Sequence, residues 1–284
     1  MNKEKVTVII PSLDGKRGGN VERLKASLGS QTVKPYEIIV VIGVSPNGRA
    51  RNVGVERAKK NTDFFVFIDD DVILGHERVL ENLIKPFLHS PEYGEKPVGM
   101  TGPSQLIPED SNWFQKAAAR QIPRSVFPVQ KELVDSDMVT HMCLCMSAGL
   151  FIDLGMENPD IIAGTDPDLR HRVREAGYRV CVVPDTWAYH PMPERLSGLM
   201  KMAFYKGRNS ALVRRTHPDL VLELDTGFKR EFRPKRSLAV RVLRLTGMIF
   251  ISVFKLHLIF TAYTLVYSAG NLFGSLMKLP ENEN

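Results

Sequence analysis

The sequence predicts an α/β fold, a mostly parallel sheet flanked by helices, with a hydrophobic helical appendage at its C-terminal end. Three observations carry this. Short apolar runs at Val6–Ile10, Tyr36–Ile42 and Phe64–Ile68 alternate with segments of helical period, as right-handed strand–helix–strand crossovers require. The third run ends in Asp69, Asp70 and Asp71, and open α/β sheets place ligands outside the carboxyl ends of their strands. Beyond Asp219 the composition shifts, first to basic and then to uncharged residues.

Val6–Ile10 reads as a strand buried on both faces and closed by Pro11. Asn20 is placed to cap a helix whose Val21, Leu24 and Leu28 share one face. Tyr36–Ile42 reads as a second buried strand, and a helix from about Arg49 to Lys60 leads to the Asp-bearing strand. A helix over His76–His89 ends at the Pro-Glu-Tyr-Gly loop, and Val98–Gly102 is a fourth strand. Residues 103–140 hold prolines at 103, 108, 123 and 128 and no sustained period, and a stretch that long is often functional. Met142–Asp153 is a strand or turn, with Gly149 marking close backbone packing. A helix then starts at about Asp166 to Asp168, with Pro167 in its first turn and Gly177 as its stop. Arg179–Val183 is a further strand, and a helix follows from about Glu194 to Thr216.

With 43% hydrophobic and 25% charged residues, the 284-residue chain has the composition of a folded protein and not of a disordered one. Cys143, Cys145 and Cys181 form neither an even disulfide framework nor a CxxC pair, so they read as small buried residues of a reduced domain. The N-terminal apolar run is too short for a signal peptide, which leaves the catalytic part in the cytoplasm. Seven basic residues and one acid between Lys229 and Arg244 account for the whole net charge of +6. That linear cluster is unlike a basic face spread over a fold, so nucleic acid is not an expected partner.

Three adjacent aspartates repel one another unless a cation sits among them. A hard divalent ion, held by one or two carboxylates and completed by phosphate oxygens, meets that need; a solvated acidic turn is the plainer alternative.

An ordered set of segments resembles the family 2 glycosyltransferases with the GT-A fold, a Rossmann-like sheet. The set is "VTVIIPSLDG", "GRARNVGVERAK", "FIDDDV", "SAGLFID", "AGTDPDLRHRVREAGYRV", then "YHP" and "FYKGRNSALVRR", over roughly residues 4–216. The resemblance implies a nucleotide-sugar donor, a UDP-sugar first, and Mn²⁺ or Mg²⁺. By position Asp69 and Asp70 would face the nucleoside, and Asp71 would bind the metal. His190 would be a second metal or diphosphate contact; a structural histidine is the alternative. Pro11, Asp14, Arg51 and Asn52 would line the donor pocket, Arg51 as an unpaired cation at a helix start; a solvated helix face is the other reading. Lys206 and Arg208 would clamp phosphate or be ordinary basic helix residues. Asp166 would be the general base of an inverting transfer, although it or Asp168 could instead cap the helix. Thr165 replaces the family's usual Glu, and Gly43 and Ser45 stand where a base-reading Asp is common.

These readings divide the chain into a catalytic domain over 1–218, a basic linker over 219–244 and a helical segment over 245–279. Leu256–Met277 is long enough to cross a bilayer. An in-plane helix pair and a packed hairpin or homo-oligomer interface are its rivals. Basic residues beside it favour anionic lipid through residues 229–279, with the large domain on the cytoplasmic face of the membrane. The expected function is a metal-dependent inverting hexosyl transfer to a membrane-presented acceptor, such as a lipid-linked glycan or polyprenyl phosphate. A sugar-nucleotide nucleotidyltransferase and an inactive membrane adaptor of the same fold are the alternatives.

Overall fold

The computed structural model describes residues 4–89, 96–162, 164–218, 220 and 236–278. In chain order the elements are β1 (Val6–Ser12), α1 (Asn20–Gly29), β2 (Glu37–Ile42), α2 (Asn47–Arg57), β3 (Phe64–Ile68), β4 (Ile73–Leu74), α3 (Val79–Leu88), β5 (Val98–Leu106), α4 (Trp113–Gln121), β6 (Val134–Asp135), β7 (Cys143–Ser147), α5 (Ala148–Asp153), α6 (Thr165–Glu175), β8 (Arg179–Tyr189), α7 (Leu196–Thr216), α8 (Leu238–Phe254) and α9 (Leu258–Leu276). The strands form one sheet in the order β2-β1-β3-β7-β5-β8-β4, with β6 paired to β8. β1 runs parallel to both β2 and β3, as the crossovers predict, while β7 runs antiparallel to β3 and β5. This is the mixed, mostly parallel sheet with flanking helices expected of a GT-A architecture.

Two apolar layers sandwich the sheet. Alternate residues of one strand serve both: Phe64, Val66 and Ile68 pack with Leu24, Leu80 and Leu83, while Phe65 and Phe67 pack with Phe151, Leu169 and Val173. All five residues of β3 are buried, which is why this strand reads as a continuous apolar run. The three cysteines are free and buried.

Several expectations are corrected. β2 is the sheet edge and not a buried strand, and its Ile38 and Ile42 are exposed. Asn20 lies inside α1, whose cap is the left-handed Gly19. Residues 103–140 contain helix α4, closed by a reciprocal Asn112–Gln115 capping box. Gly149 touches nothing closely. The tight glycine contacts lie between α7 and α9, where a Cβ on Gly207 would sit 2.0 Å from the Tyr267 carbonyl oxygen and one on Gly270 2.1 Å from that of Phe204. Among the described residues no helix is long and apolar enough to cross a membrane. The uncharged segment is broken at Lys255–His257 into α8 and α9, and α9 lies against α7 through those glycines. α8 begins at Leu238, inside the expected linker, most of which lies outside the described residues.

Candidate active site

A cavity of about 690 Å³ gathers side chains from distant parts of the chain. α2 contributes Gly48 and Arg51, the end of β3 gives Asp69, and the 137–142 loop gives Asp137 and His141. The start of α6 brings Thr165 and Asp166, and His190 follows β8. Lys206 on α7 and Tyr263 and Tyr267 on α9 complete the wall. The C-terminal helix is therefore part of the cavity and not an appendage to it.

The aspartate triplet faces two guanidinium groups and one imidazole. Arg51, only 2% exposed, donates from Nη2 to Asp69 Oδ1 at 3.0 Å. Burial still raises the Asp69 carboxyl above its ordinary range against the pull of Arg51. Asp70 accepts a 2.7 Å hydrogen bond from Ser12 Oγ and has Arg17 Nε 3.9 Å away. Asp71 faces Arg17 Nη2 at 3.1 Å and His190 Nε2 at 3.3 Å. Burial would push Asp71 up, but His190 and Arg17 outweigh it and hold the carboxyl below the usual range. Arg17 adopts a left-handed backbone (φ 43°), a cost a non-glycine residue bears where the surroundings fix it.

Asp166 stands in the first turn of α6, whose cap is Gly164. Its Oδ1 accepts from the His141 backbone N–H at 2.6 Å and lies 2.5 Å from His141 Nδ1. The other ring nitrogen, Nε2, is bonded to Glu157 Oε1. Burial and Arg51 disfavour the imidazolium, yet Glu157 and Asp166 prevail and push His141 up to about 9. Burial raises Asp166 in turn, but the imidazolium outweighs it and keeps the carboxylate ionised well below its usual range. Lys206 lines the cavity from α7 with its side chain exposed; the protein packed around it lowers its ammonium pKa, although Asp166 opposes this.

The resemblance extends beyond these geometric facts to sequence models. One described as "Glycosyltransferase like family 2" matches residues 2–208. The chain is a family 2 glycosyltransferase. Among solved structures, the mannosyltransferase PcManGT from Pyrobaculum calidifontis, in complex with GDP-Man and Mn²⁺, superposes with a TM-score of 0.55 at 17% identity, over 96% of this chain and 88% of that one. The catalytic domain of Drosophila beta1,4galactosyltransferase 7 with xylobiose gives 0.42 at 17% identity, over 64% and 66%. GalNAc-T7 with UDP, GalNAc and Mn²⁺ gives 0.47 at 11%, over 75% and 51%. A search of curated proteins finds no match.

Not every expected residue of this glycosyltransferase reaches the cavity. Pro11 is buried inside β1, in register with Val41. Asp14 turns back on its own loop and accepts from the Lys16 and Arg17 backbone N–H groups. Asn52 bonds the backbone of Glu157 in both directions, at 2.9 and 3.0 Å, so it braces a loop and is not among the residues lining the cavity. Arg51 is paired with Asp69 and not a free cation. Arg208 is not among the residues lining the cavity; it lies over the Tyr205 ring and donates to Asn209, which does line it. Asp168 caps nothing and bonds Arg172 one turn on. Asp69, Asp166, His190 and Lys206 do converge, with Asp71 against His190. Arg17, His141 and Glu157 carry no motif signal, and only the fold brings them in.

Proposed function

We propose that this glycosyltransferase moves a sugar from a nucleotide-sugar donor to an acceptor hydroxyl with inversion, the acceptor being deprotonated by Asp166 and the donor diphosphate held near Asp71 and His190. The observation that carries the reading is the convergence of Asp69, His190 and Asp166 on one cavity in a family 2 fold. Oδ1 of Asp166 is tied to His141, whereas Oδ2 has no protein partner among the described residues and is the oxygen available to take a proton. The hydroxyl oxygen attacks the anomeric carbon as its proton passes to Asp166 and the bond to the diphosphate oxygen breaks. Lys206, with a lowered pKa, stands ready to meet anionic oxygens beside Asp166.

A divalent cation fits the residues present. Asp71 and His190 offer an oxygen and a nitrogen donor side by side. Among the described residues no group of three metal-ligating side chains exists, which suits an ion whose remaining positions are filled by diphosphate and water. Bound there, Mn²⁺ or Mg²⁺ would neutralise charge developing on the leaving diphosphate.

The membrane reading has its own support. α8 and α9 contain no acid, and α8 exposes Leu238, Leu243, Phe250 and Phe254 beside Arg241 and Arg244. Such a face suits in-plane contact with an anionic cytoplasmic leaflet, where a lipid-linked glycan or polyprenyl phosphate would be presented. Co-sedimentation with phosphatidylserine vesicles, lost at high salt, checks it.

The deciding experiment is Mn²⁺-dependent donor turnover across a panel of sugar nucleotides. Asp71→Ala and Asp166→Asn should each lower transfer by about 10³-fold. Near-normal rates in both would overturn the reading.

A further inference from the structure

His141, at the cavity, and Glu157, behind it, are deeply buried titratable groups, and the transfer chemistry above uses neither directly. His141 is 3% exposed and Glu157 not at all. Glu157 Oε2 is buried with no hydrogen-bond partner among the described residues, so this carboxylate is not placed there for local satisfaction. Its one side-chain partner is the His141 ring, and the other side of that ring meets Asp166. The loop holding Glu157 is clamped from behind by the two Asn52 bonds, so the chain of contacts runs Asn52, Glu157, His141, Asp166 across α2, the 154–158 loop, the 136–142 loop and α6.

We propose that Glu157 and His141 are positioning residues for Asp166: Glu157 fixes the imidazole, and the imidazole pins Asp166 Oδ1 so that Oδ2 alone faces the acceptor. The inference rests on the reading of Asp166 as the base. A buried carboxylate with one oxygen unpartnered is costly, and here that cost is borne by a side chain set against the His141 ring. A histidine held between two carboxylates stays charged and oriented, and outer-shell partners of this kind usually matter about 10–100-fold to the group they orient. The other charged groups around the ring are Arg51 from α2, Asp69 from β3, and, beyond Asp166, Arg170 on α6 and Lys206 on α7. Arg51 opposes the imidazolium, so Glu157 is needed to keep it charged.

The test compares Glu157→Gln and His141→Gln with Asp166→Asn in the full chain. Glu157→Gln keeps the shape of the side chain and removes its charge. Its kcat should fall about 10–100-fold with donor KM unchanged, and the His141 imidazole titration, followed by NMR, should drop by a unit or more from about 9. His141→Gln should move the acid limb of the rate profile upward by at least a unit, because Asp166 loses the cation that depresses it. Thermal unfolding of each variant confirms that it is folded. If both variants are slowed equally at every pH, with the limb and the imidazole titration unmoved, the two residues merely hold the fold together and the inference is wrong. If Asp166→Asn retains full turnover, the base assignment itself fails, which is a separate result.

Discussion

The site holds two groups of carboxylates, and they are neutralised by different chemistry. Asp69 and Asp71, at the end of β3, lean on guanidinium groups from α2 and from the loop after β1, and Asp71 also faces the His190 imidazole. Asp166 leans on an imidazole, itself backed by Glu157. Guanidinium stays charged throughout the working range of a protein, so Arg51 and Arg17 give the β3 group permanent positive partners. The His141 imidazole, pushed up to about 9 by its two carboxylates, gives up its proton on the alkaline side, so the α6 group is the pH-sensitive half. The contrast matches the proposed roles. Carboxylates beside an anionic donor need constant charge, whereas a carboxylate that takes up a proton needs a tunable neighbour.

The sharpest way to break this contrast is to remove the permanent cation. Arg51→Met leaves Asp69 facing an apolar wall, and loss of one partner from a buried pair costs about 3–4 kcal/mol, Asp69 keeping some contact with the cavity. A urea midpoint that stays within error of the parent protein would mean that the Arg51–Asp69 bond carries no weight.

A smaller effect separates the imidazole half. The folded chain holds the His141 proton more tightly than the unfolded chain, so its contribution to stability is complete below about pH 6.5, declines above that and is gone as pH passes about 9. A shift of that size corresponds to on the order of 3 kcal/mol. Chemical denaturation at pH 6 and pH 9 should show that loss in the parent protein and little of it in His141→Gln.

Smallest of all is Arg17→Ala. Arg17 is 55% exposed in its side chain, and an exposed pair contributes about 0–1 kcal/mol, so unfolding should hardly change. Donor KM is the more sensitive readout, because the lost cation stands beside Asp71; a rise of severalfold is expected.

The strand half of the site was legible because β3 is buried on both faces and its chemistry sits in consecutive residues. One short window of sequence therefore shows both the apolar run and the carboxylates. The helix half was legible only at Asp166, where a first-turn acid follows a glycine. His141 and Glu157 lie 16 residues apart within irregular segments and meet through tertiary packing that no local period records. The C-terminal segment left spanning, in-plane and packed readings open for a related reason. Uncharged residues look alike whether they meet lipid or protein, and what places α9 on α7 is Gly270 against Phe204, Gly274 against Arg208 and Gly207 against Tyr267.

Because α7 and α9 touch main chain to main chain, the tail is not an interchangeable anchor. A chimera bearing another protein's tail would need small residues at the same heights, or Tyr263 and Tyr267 swing aside and the catalytic hollow floods with bulk solvent. Ångström-scale clearance, more than greasiness, sets which sequences can follow residue 257.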